Sequence, residues 1–169
     1  MASTKRDQLI DTALRLFYEN GFHATGIDKV LAESGCAKMT LYKHFKSKDE
    51  LILAVIRRMD ETMRNDFMRE IERRAKTPRD RLVALFDVLE GWFKDPEFKG
   101  CLFVHASGEF PDEDHPVLNA CAEHQRLIHN YIHEQATAAG STDPNGLADE
   151  LMLLVEGAVV RSHILHDPT

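Results

Sequence analysis

The feature that most constrains this chain is the spacing of its apolar residues. They recur every three to four positions almost from end to end, with few alternating β-branched runs, and glycine and proline cut the pattern into segments. Leu9, Ile10, Ala13, Leu14, Leu16 and Phe17 form a first helical stripe that stops near Asn20-Gly21. A short second stripe, Ile27, Val30 and Leu31, follows Thr25-Gly26 and ends at Ser34-Gly35. The third helix, about 37–44, has only Leu41 and Phe45 as strong apolar anchors, so most of its surface faces outward. Ser47 with Glu50 three residues on is an N-cap and its capping-box partner. They open a long helix carrying Leu51, Ile52, Val55, Met59, Met63, Phe67 and Ile71. Thr77-Pro78-Arg79-Asp80 supplies a cap, a proline at the first helical position and an acid in the first turn. The helix it opens points Leu82, Leu85, Phe86, Leu89, Trp92 and Phe93 inward. After Asp95-Pro96 and Gly100 come a short apolar piece, 101–106, and an acidic turn, 111–114. Two more helices, about 116–138 and 144–166, are separated by Gly140-Ser141-Thr142. The expected fold class is all-α.

Charge is divided unevenly along this pattern. The first 48 residues hold eight Lys/Arg against five acids, a surplus of +3, whereas the other 121 hold 13 bases and 23 acids, a balance of −10. A basic head on an acidic body suits a protein whose head meets a polyanion. Apolar runs of five or six residues fall well short of the roughly 18 to 20 that span a bilayer, which argues against a membrane partner. The first residues show no apolar signal core, and a cytoplasmic location is expected. Cys36, Cys101 and Cys121 are too far apart for a CxxC metal or redox motif and are expected to be reduced thiols. No phosphate loop, dinucleotide-binding glycine fingerprint, HExxH or Gly-x-Ser-x-Gly elbow occurs, so neither an enzyme nor a cofactor is expected.

Residues 22–51 carry the chemistry. Two short helices meet at a glycine-containing turn, and the second exposes Lys38, Thr40, Tyr42, Lys43 and His44 while burying Leu41 and Phe45. Such a helix needs only enough apolar anchors to stay on its scaffold, leaving its donors free for base edges and phosphates. The stretch resembles the DNA-binding domain of the TetR family of transcriptional regulators. Phe17 and Gly21-Phe22, Ala24-Thr25 before Ile27, Gly35, and the run from Thr40-Leu41-Tyr42-Lys43-His44-Phe45 to Lys48-Asp49-Glu50-Leu51 carry the likeness. The resemblance implies a helix-turn-helix domain over 1–47 and an effector-binding and dimerisation domain over 48–169. It also implies that Lys38, Met39, Thr40 and Lys43 face the major groove, that Tyr42, His44 and Lys48 bind phosphate, and that Thr25 grips the opposite groove wall. Ala37 and Met39 depart from the family pattern, which commonly has a hydroxyl residue and a glycine there.

The body is expected to supply a partner surface and a pocket. A single helix-turn-helix reads few base pairs, so two copies are expected to bind a pseudo-palindromic operator as a homodimer through the last two helices. Leu147, Leu151, Leu154, Val155, Ala158 and Val159 are the expected stripe, with Gly157 and Ala158 permitting close approach. Met63, Phe67, Phe86, Trp92, Phe93 and Phe103, with His105, Glu109 and His124 as polar liners, are the candidate pocket for a small-molecule effector that releases a repressor from DNA. His129 and His133, four residues apart, leave a metal- or thiol-responsive regulator as an alternative, although no metal ligand set is assigned. A helical enzyme or carrier with a vestigial DNA-binding head is the remaining alternative.

Overall fold

The computed structural model describes residues 4–166, and all regular structure among them is helical. Eight helices follow in order: α1 Lys5–Asn20, α2 Ile27–Ser34, α3 Lys38–His44, α4 Lys48–Arg74, α5 Pro78–Phe93, α6 Leu102–Glu109, α7 Pro116–Ala138 and α8 Pro144–Leu165. The local signals act as their chemistry requires. Thr77 accepts the Asp80 amide above a first-turn Pro78, and Asp143 does the same for Gly146 before Pro144. The Ser47 hydroxyl accepts the Glu50 amide at 3.1 Å, while the Glu50 carboxylate reaches back to the Lys46 amide, one residue before the cap, at 2.7 Å. Thr4 and Asp7 form a full capping box at the start of α1. No described helix is long and apolar enough to cross a membrane.

By packing, the chain divides into two compact units. The first runs to Glu61 and takes in Leu102–Ala122. Its core holds Leu9, Ile10, Leu16 and Phe17 from α1, Phe22 from the following loop, Val30 and Leu41 from α2 and α3, and Leu51, Ile52, Val55 and Ile56 from α4. Leu102, Phe103, Ala106 and Phe110 are equally buried there. The expected division at residue 47/48 therefore differs from the division by packing. The first turns of α4 carry four fully buried aliphatic residues that complete the head, and α6 belongs with it.

The second unit comprises Thr62–Cys101 and the chain from Glu123 onward. Ile71, Leu85, Leu89, Ile132, Ala148 and Met152 are the centre of its core, with Phe67, Phe86, Trp92, Phe93 and Phe98 half-buried around it. The stripe expected on α8 is out of phase. Ala148, Met152, Val159 and Ser162 face inward, with Leu151 and Val155 packed against the core. Leu153, Leu154, Gly157, Val160, Ile164 and Leu165 stay exposed. α8 is apolar nearly all round, so periodicity alone does not say which face meets its own chain.

Candidate nucleic-acid interface

α3 is seven residues long and is held by two of its anchors. Leu41 is fully buried and Phe45, which caps the helix, is almost so. With 3.6 residues per turn, fixing 41 and 45 turns 39 and 43 to the opposite face, with 42 and 44 at its flanks and 38 in the open first turn. Lys38, Met39, Tyr42, Lys43 and His44 are accordingly exposed, Met39 by 86%, and Thr40 is partly so. α3 contains no acidic residue, so the exposed face carries cations and hydroxyls around Met39 and no negative side chain. Its N-cap, Ala37, makes no side-chain bond to the first turn, as expected from the missing hydroxyl.

The turn before α3 is built to be rigid. Gly35 has φ +63°, a left-handed conformation that a Cβ disfavours, and its amide returns to the Leu31 carbonyl at 3.1 Å. The Cys36 amide donates to the Ser34 hydroxyl, and the Gln8 side chain donates to the Ser34 carbonyl at 2.7 Å. Buried polar groups of the turn are thus satisfied from α1 as well as locally. At the other end of α3 the Arg6 guanidinium lies over the Phe45 ring, 5.4 Å from its centroid. Arg6, His44, Phe45, Arg57 and Arg58 line a groove of about 470 Å³ there together with Glu50 and Glu61, and Arg58 is paired with Asp7, which leaves Arg6 beside the cationic end of α3. Arg6 is a candidate contact that the sequence pattern passed over, because it lies before the first apolar stripe and nothing in its spacing marks it.

One expected contact is corrected. Thr25 is fully buried, and its hydroxyl donates to the Gly21 carbonyl at 2.8 Å. Its side chain closes the α1–α2 loop and is not presented to a groove wall. Lys48, the first residue of α4, is half-buried and its Nζ donates to the His23 carbonyl at 3.2 Å. Asp7 steadies α1 against α4. Its carboxyl is held down at about 2, first by the Thr4 hydroxyl and next by the Arg58 guanidinium with which it pairs.

The residues expected to line an effector pocket fall in both units. Met63, Phe67, Phe86, Trp92, Phe93 and His124 are in the second unit. Phe103, His105 and Glu109 are in the first and serve its packing: Phe103 is fully buried, and the His105 ring stacks with Tyr18 at 6.4 Å. Glu109 is corrected from pocket liner to loop support, since its carboxylate accepts the Phe22 and His23 amides. His129 pairs with Asp149 at 2.9 Å, and among the described residues no three His, Cys, Asp or Glu side chains are grouped to hold a metal ion. The three cysteines form no disulfide among the described residues, and Cys36 and Cys121 are buried.

A short exposed helix seated by two apolar anchors beside a left-handed glycine turn, with its cations outward, defines a helix-turn-helix DNA-binding head. Residues 9–55 match the family model for bacterial regulatory proteins of the TetR family, and residues 78–169 match that for a tetracyclin repressor-like C-terminal domain. The chain belongs to the TetR family and is a DNA-binding transcriptional regulator. Among solved structures it is similar to SCO4454, a TetR-family regulator from Streptomyces coelicolor, with TM-score 0.89 and 32% identity over 97% of this chain and 86% of that one. It is 22% identical to the HTH-type transcriptional regulator YjdC of Escherichia coli over 93% of this chain and 82% of that protein. It is 37% identical to the transcriptional activator FasR of Mycolicibacterium smegmatis over 51% of this chain and 41% of that protein.

Proposed function

We propose that the chain is a homodimeric, one-component repressor that binds a pseudo-palindromic operator and is released by a small-molecule effector. The observation that carries this reading is the cationic face of α3. Lys38, Met39, Thr40 and Lys43 read the major groove, while Tyr42, His44 and Lys48 bind backbone phosphate. Lys48 exchanges a neutral carbonyl, His23, for a charged oxygen when DNA arrives. Met39 offers the methyl group of thymine an apolar contact and has no bidentate hydrogen bond to give guanine or adenine.

The outward stripe Leu153, Gly157, Val160 and Ile164 repeats at four-three-four spacing and supports pairing of α8 with its copy. A Cβ on Gly157 meets nothing within 4 Å, so the space above it is open to a partner helix. Within the second unit, Phe67, Phe86, Trp92 and Phe93 are half-buried and His124 is buried, which suits an apolar effector with one polar group. Binding there lowers operator affinity by favouring a helix spacing that mismatches the half-sites. The protein acts where the DNA is, in the cytoplasm, and performs no catalytic step.

Selection of bound sequences from a random duplex pool tests the reading. The expected result is an enriched inverted repeat whose affinity falls steeply with salt. Folded, dimeric protein that enriches nothing refutes it. Because FasR is named an activator, transcription from the selected operator in the presence and absence of the chain decides the sign: repression is expected.

A further inference from the structure

The α1–α2 loop is tied to α6 by a cluster that DNA reading by α3 does not by itself require. The two oxygens of Glu109, the last residue of α6, accept consecutive backbone amides, Phe22 at 2.8 Å and His23 at 2.6 Å. The Glu109 carbonyl accepts His23 Nε2 at 2.7 Å. Phe110 packs beside both, its ring centroid 6.0 Å from Phe22 and 4.8 Å from His23. The chain passes the carboxylate closely at Gly21, where φ is +86° and a Cβ would stand 3.0 Å from Glu109 Oε1. On the far side of the loop the His23 carbonyl holds Lys48 Nζ at 3.2 Å.

We propose that Glu109 is a positioning residue for DNA recognition: its carboxylate sets the α1–α2 loop and, through the His23 carbonyl, aims Lys48. This rests on the DNA-binding reading. A carboxylate suits the task because it offers acceptors at both oxygens, and hydrogen bonds to a charged acceptor are roughly twice as strong as neutral ones. Glutamine keeps the shape but turns an NH2 group against one of the two amides. The loop therefore has one arrangement with Glu109 and several without it. The head's grip on DNA becomes conditional on a residue 86 positions beyond His23 in sequence.

Charge and positioning predict opposite signs for one substitution, which makes the test decisive. Removing a negative charge near a polyanion strengthens binding on Coulomb grounds. On positioning grounds Glu109→Gln weakens it. The experiment uses the full chain and a duplex selected by the wild-type protein, with affinity measured at fixed salt and amide exchange measured without DNA. Glu109→Gln is expected to weaken binding at least tenfold and to speed exchange at Phe22 and His23. The thermal midpoint and the protection of the Leu41 amide should stay at wild-type values. Lys48→Met combined with Glu109→Gln should lose less than the product of the single losses, since both act on one contact. Equal or tighter binding by Glu109→Gln overturns the proposal, as do losses that multiply. So does weaker binding accompanied by faster exchange at Leu41 and a lower midpoint, because that is general unfolding of the head. A wild-type chain that selects no duplex overturns the DNA-binding reading and this proposal with it.

Discussion

Leu153→Glu should break the dimer while leaving the protomer folded. Leu153 is 71% exposed, Leu154 59% and Ile164 67%. Fully burying a leucine or isoleucine side chain is worth about 1.5–3 kcal/mol, so covering the two-thirds still open at Leu153 is worth about 1–2 kcal/mol. A two-fold interface uses the same patch on both copies, so the loss counts twice, about 2–4 kcal/mol per dimer. At 1.4 kcal/mol per tenfold, the dimer Kd rises about 30- to 700-fold from the lost apolar area alone. A carboxylate placed against the partner's leucines adds a desolvation penalty in the same direction. Sedimentation velocity from nanomolar to micromolar protein measures the Kd, and circular dichroism with the thermal midpoint confirms the fold. Because Leu153 contributes little to its own chain's core, the midpoint of the monomer should hardly move. A Leu153→Glu chain that is folded and dimerises with the wild-type Kd refutes the assignment of this stripe to the interface.

Three further outcomes follow from the head. Lys48→Ala should weaken binding to all duplexes and reduce the slope of log K against log salt by about 0.9, whereas Lys43→Ala should change the selected consensus; binding titrations from 50 to 200 mM salt and repeated selection check both. Gly35→Ala should cost about 1–2 kcal/mol, because the left-handed φ of +63° is disfavoured for a Cβ although open space surrounds it. Gly35→Asn should lose less, and equal thermal midpoints for the two variants would count against a conformational cause. Asp7 titrates at about 2 in the folded chain against 3.8 for the free side chain, so its bonds to Thr4 and Arg58 stabilise the head above pH 4 and are lost as pH falls toward 2. Melting curves between pH 5 and pH 2 should therefore fall more steeply for the wild type than for Asp7→Asn.

Legibility differs between parts of the candidate site. The outward face of α3 could be read directly, because Leu41 and Phe45 are its only anchors and a helix has one phase once its anchors are known. Thr25 could not, because a threonine before a glycine is equally at home as a groove contact or as a loop closure. Its hydroxyl is committed by the Gly21 carbonyl, whose position is set by folding of the loop. The out-of-phase stripe on α8 has the same origin. Leucine and valine stand on both faces, and the choice was made by the core of Leu85, Leu89 and Ile132 rather than by α8 itself.

From the chain alone came everything that depends on neighbours within a turn or two. The seven helices outside the 101–106 piece, the caps at Thr77 and Ser47, the Gly35 turn and the cationic recognition helix all rest on 3.6-residue periodicity and local hydrogen bonding. Tertiary structure alone decided that α6 packs as part of the head, that Glu109 accepts loop amides, and that α8 keeps a second apolar face exposed. The physical reason is range. A periodic pattern tells a helix that it has an apolar side, but a carboxylate's acceptors and a second apolar face acquire a role only when residues about 90 positions apart are brought within 3 Å.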